Sequence, residues 1–395
     1  VDVLHHEDAI PPPKEAGVTD APTETPDVVT VDAPSLPDRV VPAGDLLFEN
    51  VAAANSDTCG VSSGRLYCFG AAPDGRTRNT PERLGSDTSW VQVSSGLSAH
   101  CALRRDETVW CWGIDDQGQL GQGDTTTRLE PTRVTLPRAA TRVRGRYASF
   151  CATLDDGSLY CWGANEEGQL AQNEPLSDPA PDRLQPVRVG TDVDWTDVDV
   201  GQGHGCGIRS GSLYCWGRNT EGELGVGDGA GVQLRTPTRS SLPATWTSIA
   251  AGQSHSCGIR EPGGLFCFGD ASIGALGLGD TDVHAVPAQV GTDEDWTSIE
   301  LDTFHTCGIR APGTLWCWGR NIEGQLGVGD TTDHPLPTRV GDFSDWVQVS
   351  VGRFHTCGRR RGGTLWCAGA NDNGRIGTGD YVRRNVFTEV APALP

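Results

Sequence analysis

Four histidines hold one fixed position in the chain. His204, His255, His305 and His355 each stand two residues before a cysteine, at Cys206, Cys257, Cys307 and Cys357. Histidine beside a thiol is the raw material of nucleophilic catalysis or of a metal site. A group that recurs in four successive units, however, is spread around any repeat structure and cannot converge on one substrate. The pattern therefore predicts a repeated packing or hydrogen-bonding element rather than a catalytic base. The glycine-rich loops GQLGQGD (118–124), GELGVGD (222–228), GALGLGD (274–280), GQLGVGD (324–330) and GRIGTGD (374–380) suggest a phosphate cradle or calcium. A phosphate loop needs a helix N-terminus after it and usually a Lys, and neither follows. Calcium needs several convergent oxygens, and each loop offers one or two carboxylates, such as Asp124 or Asp330. Structural turns are expected, with calcium as the competing reading. His5-His6-Glu7-Asp8 could catch a metal ion, but a mobile terminal cluster is a weak site. No Gly-x-Ser-x-Gly elbow and no His-Glu-x-x-His stands out. The expectation is no catalytic site, no cofactor and no resident metal.

The chemistry that the spacing does support is oxidative. Fourteen cysteines fall in seven pairs: Cys59 with Cys68, Cys101 with Cys111, Cys151 with Cys161, Cys206 with Cys215, Cys257 with Cys267, Cys307 with Cys317 and Cys357 with Cys367. Zinc sites usually take cysteines about two to four residues apart, and seven isolated pairs would each lack two ligands. Within a pair the separation is 9 or 10, and each value comes with a matching turn. If the two cysteines face each other across antiparallel strands, the shorter spacing leaves a two-residue loop, Ser63-Gly64 or Ser210-Gly211. The longer leaves three residues, such as Asp155-Asp156-Gly157 or Ala311-Pro312-Gly313. Both are favoured hairpin lengths, and Gly falls where positive φ is usual; Arg105-Asp106-Glu107 is the exception. Opposed strand residues lie within disulfide reach, so local pairing is expected. Free buried thiols are the competing reading.

This register sets further residues face to face. Gly60/Tyr67, Ala102/Trp110, Ala152/Tyr160, Gly207/Tyr214, Gly258/Phe266, Gly308/Trp316 and Gly358/Trp366 each put a small residue opposite an aromatic ring, which suggests that the small residue makes room for that ring. The next pairs inward, on the cysteine side, are mostly aliphatic, as in Val61/Leu66 and Ile309/Leu315. Both faces are then apolar, as in a sheet stacked between two others. Eleven residues before the first Cys a bulky residue opens another strand: Phe48, Trp90, Trp195, Trp246, Trp296 and Trp346, with Ala140 in the third copy. A short edge-like strand such as Pro337-Thr-Arg-Val340 ends the unit, giving about four strands per unit.

The pattern [bulky]-x-x-[Val/Ile]-x-x-Gly-x-x-His-x-Cys-Gly-Ile-Arg…Leu-Trp-Cys-Trp-Gly-x-Asn-x-x-Gly-Gln-Leu-Gly-x-Gly-Asp, nearly complete from Trp296 to Asp330, resembles the regulator of chromosome condensation repeat. The resemblance covers residues 48–390 and implies an all-β, seven-bladed propeller of about four-stranded blades, to which the cysteine spacing adds one hairpin disulfide in each. Cysteine pairs in every blade are not general in that family and look like an extracellular adaptation. The ends supply a separate expectation. The last unit stops at Phe387-Thr-Glu-Val390 and a bulky-led strand stands at Phe48-Glu-Asn-Val51, so the two termini are expected to meet and complete one blade.

Composition bounds the rest. A formal charge of −21, with 52 acidic against 31 basic residues, repels phosphate backbones and disfavours nucleic acid as a partner. No apolar run is long enough to span a membrane as a helix. The cysteine framework predicts an oxidising compartment, secreted or on the cell surface. Residues 1–43 are an acidic, Pro-rich tail with eight Pro and nine Asp or Glu; residues 44–395 are the propeller. The tail reads as a linker, which could attach the propeller to a surface. Its short β-prone run, Asp27, Val28, Val29, Thr30, Val31 and Asp32, could alternatively add to a neighbouring molecule's sheet. Individuality concentrates in loops: 71–79 in the first unit, with Arg76 and Arg78; 171–182 in the third, with Glu174, Leu176 and Asp178; and 229–235 in the fourth. These residues are the candidate partner contacts. Three functions follow in order: a non-enzymatic extracellular module binding a protein partner, a filament subunit assembled by tail donation between copies, and a hydrolase or lyase.

Overall fold

In a computed structural model the chain is described at residues 46–173, 180–227 and 231–392. Among these residues twenty-eight strands form seven four-stranded antiparallel sheets, each built from four consecutive strands. These are blades 1 to 7, spanning 48–84, 90–133, 140–188, 195–239, 246–289, 296–339 and 346–389. The first strands of successive blades lie side by side around a central channel, and that of blade 7 meets that of blade 1.

Each cysteine pair sits opposite in its hairpin and is joined as the spacing predicts. Cys59 bonds Cys68 in blade 1, Cys101 bonds Cys111 in blade 2, Cys151 bonds Cys161 in blade 3 and Cys206 bonds Cys215 in blade 4. Cys257 bonds Cys267, Cys307 bonds Cys317 and Cys357 bonds Cys367 in blades 5, 6 and 7. The Cα atoms stand 4.1 Å apart in all seven, and no cysteine is left as a free thiol. The tight turns follow the residue types. Ser63 and Gly64 both take positive φ, as a two-residue hairpin loop requires, and in the loop lacking Gly it is Glu107 that adopts φ 64°. The facing pairs also fall as the spacing dictates, including Gly308↔Trp316 and Ile309↔Leu315.

The reason for the small residues is different from the expected one. A Cβ on Gly308 would lie 2.7 Å from Cζ3 of Trp296, the residue that opens the first strand, and Gly207, Gly258 and Gly358 meet Trp195, Trp246 and Trp346 in the same way. A β-bulge after each leader shifts the register between Trp296 and Ser298, which folds the indole back over the second strand. Room is made for the strand leader, not for the facing ring.

The disulfide side of each blade then packs on the aromatic side of the next. Cys307, Cys317, Ile309, Leu315 and Leu326 of blade 6 are buried with Trp346, Val349, Val351 and Trp366 of blade 7. The same interface closes the ring: Cys357, Cys367, Leu365 and Ile376 of blade 7 enclose Phe48, Val51 and Phe69 of blade 1.

The expectation of a blade shared between the termini is corrected. The strand Phe48–Ala53 pairs with its own successor Asp57–Ser62, and Arg384–Glu389 pairs with Leu365–Gly369, so blades 1 and 7 are each complete in sequence. The Phe48 strand meets the last blade by packing, supported by a hydrogen bond from the Phe48 N–H to the Gly363 carbonyl at 2.8 Å. It does not join that sheet.

The glycine-rich loops are inter-blade straps. In four of the five, the buried aliphatic is pinned by an Asn or Asp of its own unit, as where the Leu326 N–H donates to Asn321 Oδ1 at 3.0 Å; the 274–280 loop has Ala271 at that position. A later glycine N–H then donates to the outer strand of the next blade: Gly123 to Leu184, Gly227 to Ala285, Gly279 to Pro335, Gly329 to Asn385 and, across the ring closure, Gly379 to Asn79. The loop carboxylates are engaged in the turns. Asp330 accepts from Thr332 N–H and Asn321 Nδ2, and Asp124 from Thr126 N–H and Arg128.

Candidate functional site: the channel and the loop-bearing face

The four fixed histidines form a clasp between blades. His204 Nε2 lies 2.8 Å from Ser256 Oγ, His255 3.1 Å from Thr306, His305 2.7 Å from Thr356 and His355 2.7 Å from Thr58. In each case the hydroxyl stands directly before the first Cys of the following blade. That hydroxyl donates its one proton to a strap carbonyl, as Thr356 does to Gln325 O at 2.7 Å, so it accepts from the histidine Nε2–H. The buried Nδ1 atoms of His204, His305 and His355 have no hydrogen-bond partner. Burial, with the cationic groups nearby, pushes His204 and His305 down to about 3 and His255 to about 4, and His355 well below its ordinary value. These are neutral fastenings in which Nε2–H donates to the hydroxyl rather than drawing a proton from it.

One junction reverses the chemistry. Blade 1 carries Asp57 at the histidine position, and blade 2 carries His100 at the hydroxyl position. They meet as a buried pair, His100 Nε2 to Asp57 Oδ2 at 2.8 Å, with Ser95 Oγ on His100 Nδ1 at 2.9 Å. The carboxylate clusters with Cys59 and His100 in metal-like fashion, but the Cys59 sulfur is committed to its disulfide with Cys68. That leaves two ligands, too few for a tetrahedral site.

The sequence reading missed the channel. Each first strand turns alternate residues inward, and in most blades these are small or neutral. Blade 3 places Arg142, Arg144 and Arg146 there, blade 4 Asp197 and Asp199, and blade 6 Glu300 and Asp302. Arg146 reaches across the channel to Glu300 at 3.0 Å, Asp302 at 3.3 Å and the Val351 carbonyl at 3.1 Å. Arg144 reaches Glu300 at 3.3 Å, Arg142 pairs with Asp197, and Tyr147 Oη lies 2.6 Å from Thr303 Oγ1. Burial works against the Arg146 charge, but Asp199, Asp302 and Glu300 outweigh it and raise its pKa. Burial raises Asp199 to about 6 despite Arg146 and Arg144. Beside these pairs a polar cavity of about 320 Å³ opens between blades 3 and 6, lined by Thr196, Ser248, Thr297 and Ser298. The signal was available: five blades carry Gly or Ala where blades 3 and 6 carry Arg146 and Asp302.

The meander order puts every first-to-second and third-to-fourth connection on one side of the ring. This loop-bearing face holds the 71–79 loop and the described ends of the connections at 171–182 and 229–235. Arg78 is engaged within its own blade, with Asp74 at 2.8 Å and Glu82 at 2.7 Å, whereas the Arg76 side chain is 76% exposed. Asp74 is held low by the Arg76 backbone N–H and by both guanidinium groups, to about 2. Glu174, Leu176 and Asp178, the tail residues Asp27, Val28, Val29, Thr30 and Val31, and His5-His6-Glu7-Asp8 lie outside the described residues. No helix among the described residues is long and apolar enough to cross a membrane.

A seven-bladed ring with a constant fastened scaffold and variable loops on one face defines a repeat propeller. The family models for the regulator of chromosome condensation (RCC1) repeat match residues 106–148, 156–208, 210–259 and 312–358 in one form and 90–119 and 346–375 in another. The chain belongs to the RCC1 repeat family. It is 38% identical to human Protein RCC2 over 81 residues, 20% of this chain and 16% of that protein. It is 27% identical to the ultraviolet-B receptor UVR8 of Arabidopsis thaliana over 199 residues, 50% of this chain and 45% of the receptor. These matches thus span less than half the length of either relative. Among solved structures, Prp20p from Saccharomyces cerevisiae, described with its binding properties to Gsp1p and histones, superposes with TM-score 0.71 at 18% identity, covering 89% of this chain and 87% of that one. That likeness shows the fold.

Proposed function

We propose that this propeller is a non-enzymatic protein-interaction module of an oxidising, extracellular compartment, and that it binds its partner through the loop-bearing face. The observation that carries the reading is the division of labour in the ring. The disulfide hairpin recurs in all seven blades, the strap in five and the clasp in four, whereas the loops at 71–79, 171–182 and 229–235 do not recur. A scaffold under packing constraint varies where it meets something else. Seven disulfides in hairpins that the turns already close favour an oxidising compartment. The binding described for yeast Prp20p agrees with an interaction role, while the acidic surface and the disulfides argue for a different partner and place.

The test is site-specific photo-crosslinking in the native extracellular milieu, with a crosslinker at Arg76 on the loop-bearing face and at Val193 on the opposite one. Adducts to one partner from Arg76 and none from Val193 support the reading. Adducts from Val193 alone, or substrate turnover by the purified chain, overturn it.

A further inference from the structure

Three residues before the first cysteine, five blades carry a small side chain: Ser56, Ser98, Ala148, Gly203 and Ser254. Blades 6 and 7, which are adjacent, carry Phe304 and Phe354 instead. The two rings lie together on the loop-bearing face, centroids 5.9 Å apart and 38° between planes, both half-buried. Arg320 stands 4.7 Å over Phe304, and Arg353 lies 5.7 Å from Phe304 and 5.3 Å from Phe354. Ile322, 43% exposed, stands two residues along the same connection as Arg320. Many arginines of this acidic chain pair with carboxylates, as Arg128 does with Asp124 and Arg310 with Asp295, and the neighbouring Arg375 is tied to Asp372 at 2.6 Å. Arg320 and Arg353 form no ion pair among the described residues, and the Arg353 Nε is buried without a partner. A guanidinium stacked on a ring keeps its in-plane N–H groups free to fork onto a carboxylate.

We propose that Phe304, Phe354, Arg320 and Arg353 form a docking shelf for a peptide segment of a protein partner that presents a Glu or Asp carboxylate beside an apolar side chain. This rests on the reading of the loop-bearing face as the interaction surface. Charge complementarity singles out the occupant. Two unmatched cations stand on an aromatic floor within a molecule of net charge −21. Aromatic and Arg anchors held in place before contact are the groups that carry most binding energy at interfaces.

The experiment is fluorescence anisotropy with the full oxidised chain and a short fluorescein-labelled peptide of alternating Glu and Leu, with the Gln/Leu peptide as control. The Glu peptide should bind despite the net charge, and the Gln peptide at least about tenfold more weakly, a difference of about 1.4 kcal/mol. Phe304→Ser with Phe354→Ser installs the residue other blades already tolerate there, so the ring should stay folded while binding drops about tenfold or more. Arg320→Glu with Arg353→Glu should abolish binding, and Arg105→Glu, at an exposed hairpin on the opposite face, should leave it unchanged. Failure of the Glu peptide to bind, or equal binding by the shelf variants, overturns the shelf. So does a concentration-dependent dimer that the shelf variants abolish, because the occupant is then a second copy. If Arg76 crosslinking still finds its partner in those cases, the shelf fails and the interaction module stands.

Discussion

His305 allows the clasp to be measured by pH. Its ring is fully buried, donates through Nε2 to Thr356, and has no acceptor for a proton on Nδ1. Burial first, and the nearby His255 and Arg146, push it down to about 3, against 6.5 for a free side chain. The sign follows from linkage. Between those two values the unfolded chain binds a proton that the folded chain refuses, so stability is complete above pH 6.5 and falls as pH drops towards 3. At pH 5.0 the unfolded side chain gains about 1.5 units of protonation free energy, about 2 kcal/mol, however far below 5 the folded value lies. His305→Gln keeps a donor for Thr356 and removes the titration. Its cost at pH 7.5 should be about 1–2 kcal/mol for the altered fit and hydrogen bond. At pH 5.0 that cost should shrink by about 2 kcal/mol, bringing the variant level with or above the wild type. The assay is urea unfolding of both proteins at the two pH values with disulfides intact, read as the change in their difference, so that other titrating groups cancel. A difference that stays constant within about 0.5 kcal/mol would refute a buried neutral His305.

The reversed junction predicts that Asp57→His alone is destabilising by about 2–4 kcal/mol, since it sets two imidazoles together, and that adding His100→Thr restores most of the loss by rebuilding the ordinary clasp; thermal unfolding of the two variants checks this. Gly308→Ala forces a methyl onto Trp296 and should cost about 1–3 kcal/mol, with a change in near-UV circular dichroism, whereas Ala at the open Gly362 should be neutral in the same assay. In a double-mutant cycle, Arg146→Met and Asp302→Asn should couple by about 1.5–3 kcal/mol, because the first strands the buried Asp302 and the second removes one of the carboxylates that compensate Arg146; additive effects would show that the two do not communicate. Asp199→Asn should stabilise the protein above pH 6 and lose that advantage as pH falls towards 4, the opposite sign to the histidines, because burial raises this carboxyl's pKa on folding.

The blade was legible in the chain because its hairpin is local. Cysteines 9 or 10 residues apart, a turn of matching length and a strand leader eleven residues upstream fix register through short-range geometry. Two things were not. The partner of each small residue is the leader's ring, brought there by a bulge that no composition pattern reveals. The channel network joins residues about 155 positions apart, as in Arg146 with Asp302, and separation of that kind leaves no periodic trace. The closing blade was misread because a repeat has no marked beginning. Its phase is set by which strands pair, and the Phe48 strand pairs with the hairpin that follows it.

These long-range contacts have a further property that bears on how the ring is specified. Seven copies of one template with identical interfaces would not encode which blade follows which, nor distinguish seven blades from a neighbouring number. The departures do. Asp57 departs from the template where His100 departs in the next blade, and Arg146 where Asp302 departs three blades away; in each case the acidic side chain of one meets the basic side chain of the other. A ring closed with one blade missing or out of order would leave at least one of these groups buried and unmatched, at a cost of several kcal/mol. The generic clasp supplies adhesion at the other polar junctions, including the closing one between His355 and Thr58. The matched exceptions supply the count. The same logic marks the shelf as a different kind of exception: Phe304, Phe354 and Arg353 depart from the template and stand with Arg320, yet no carboxylate elsewhere in the described ring answers the two cations. A departure answered within the ring serves its assembly, and one left unanswered on the loop-bearing face points outward to a partner.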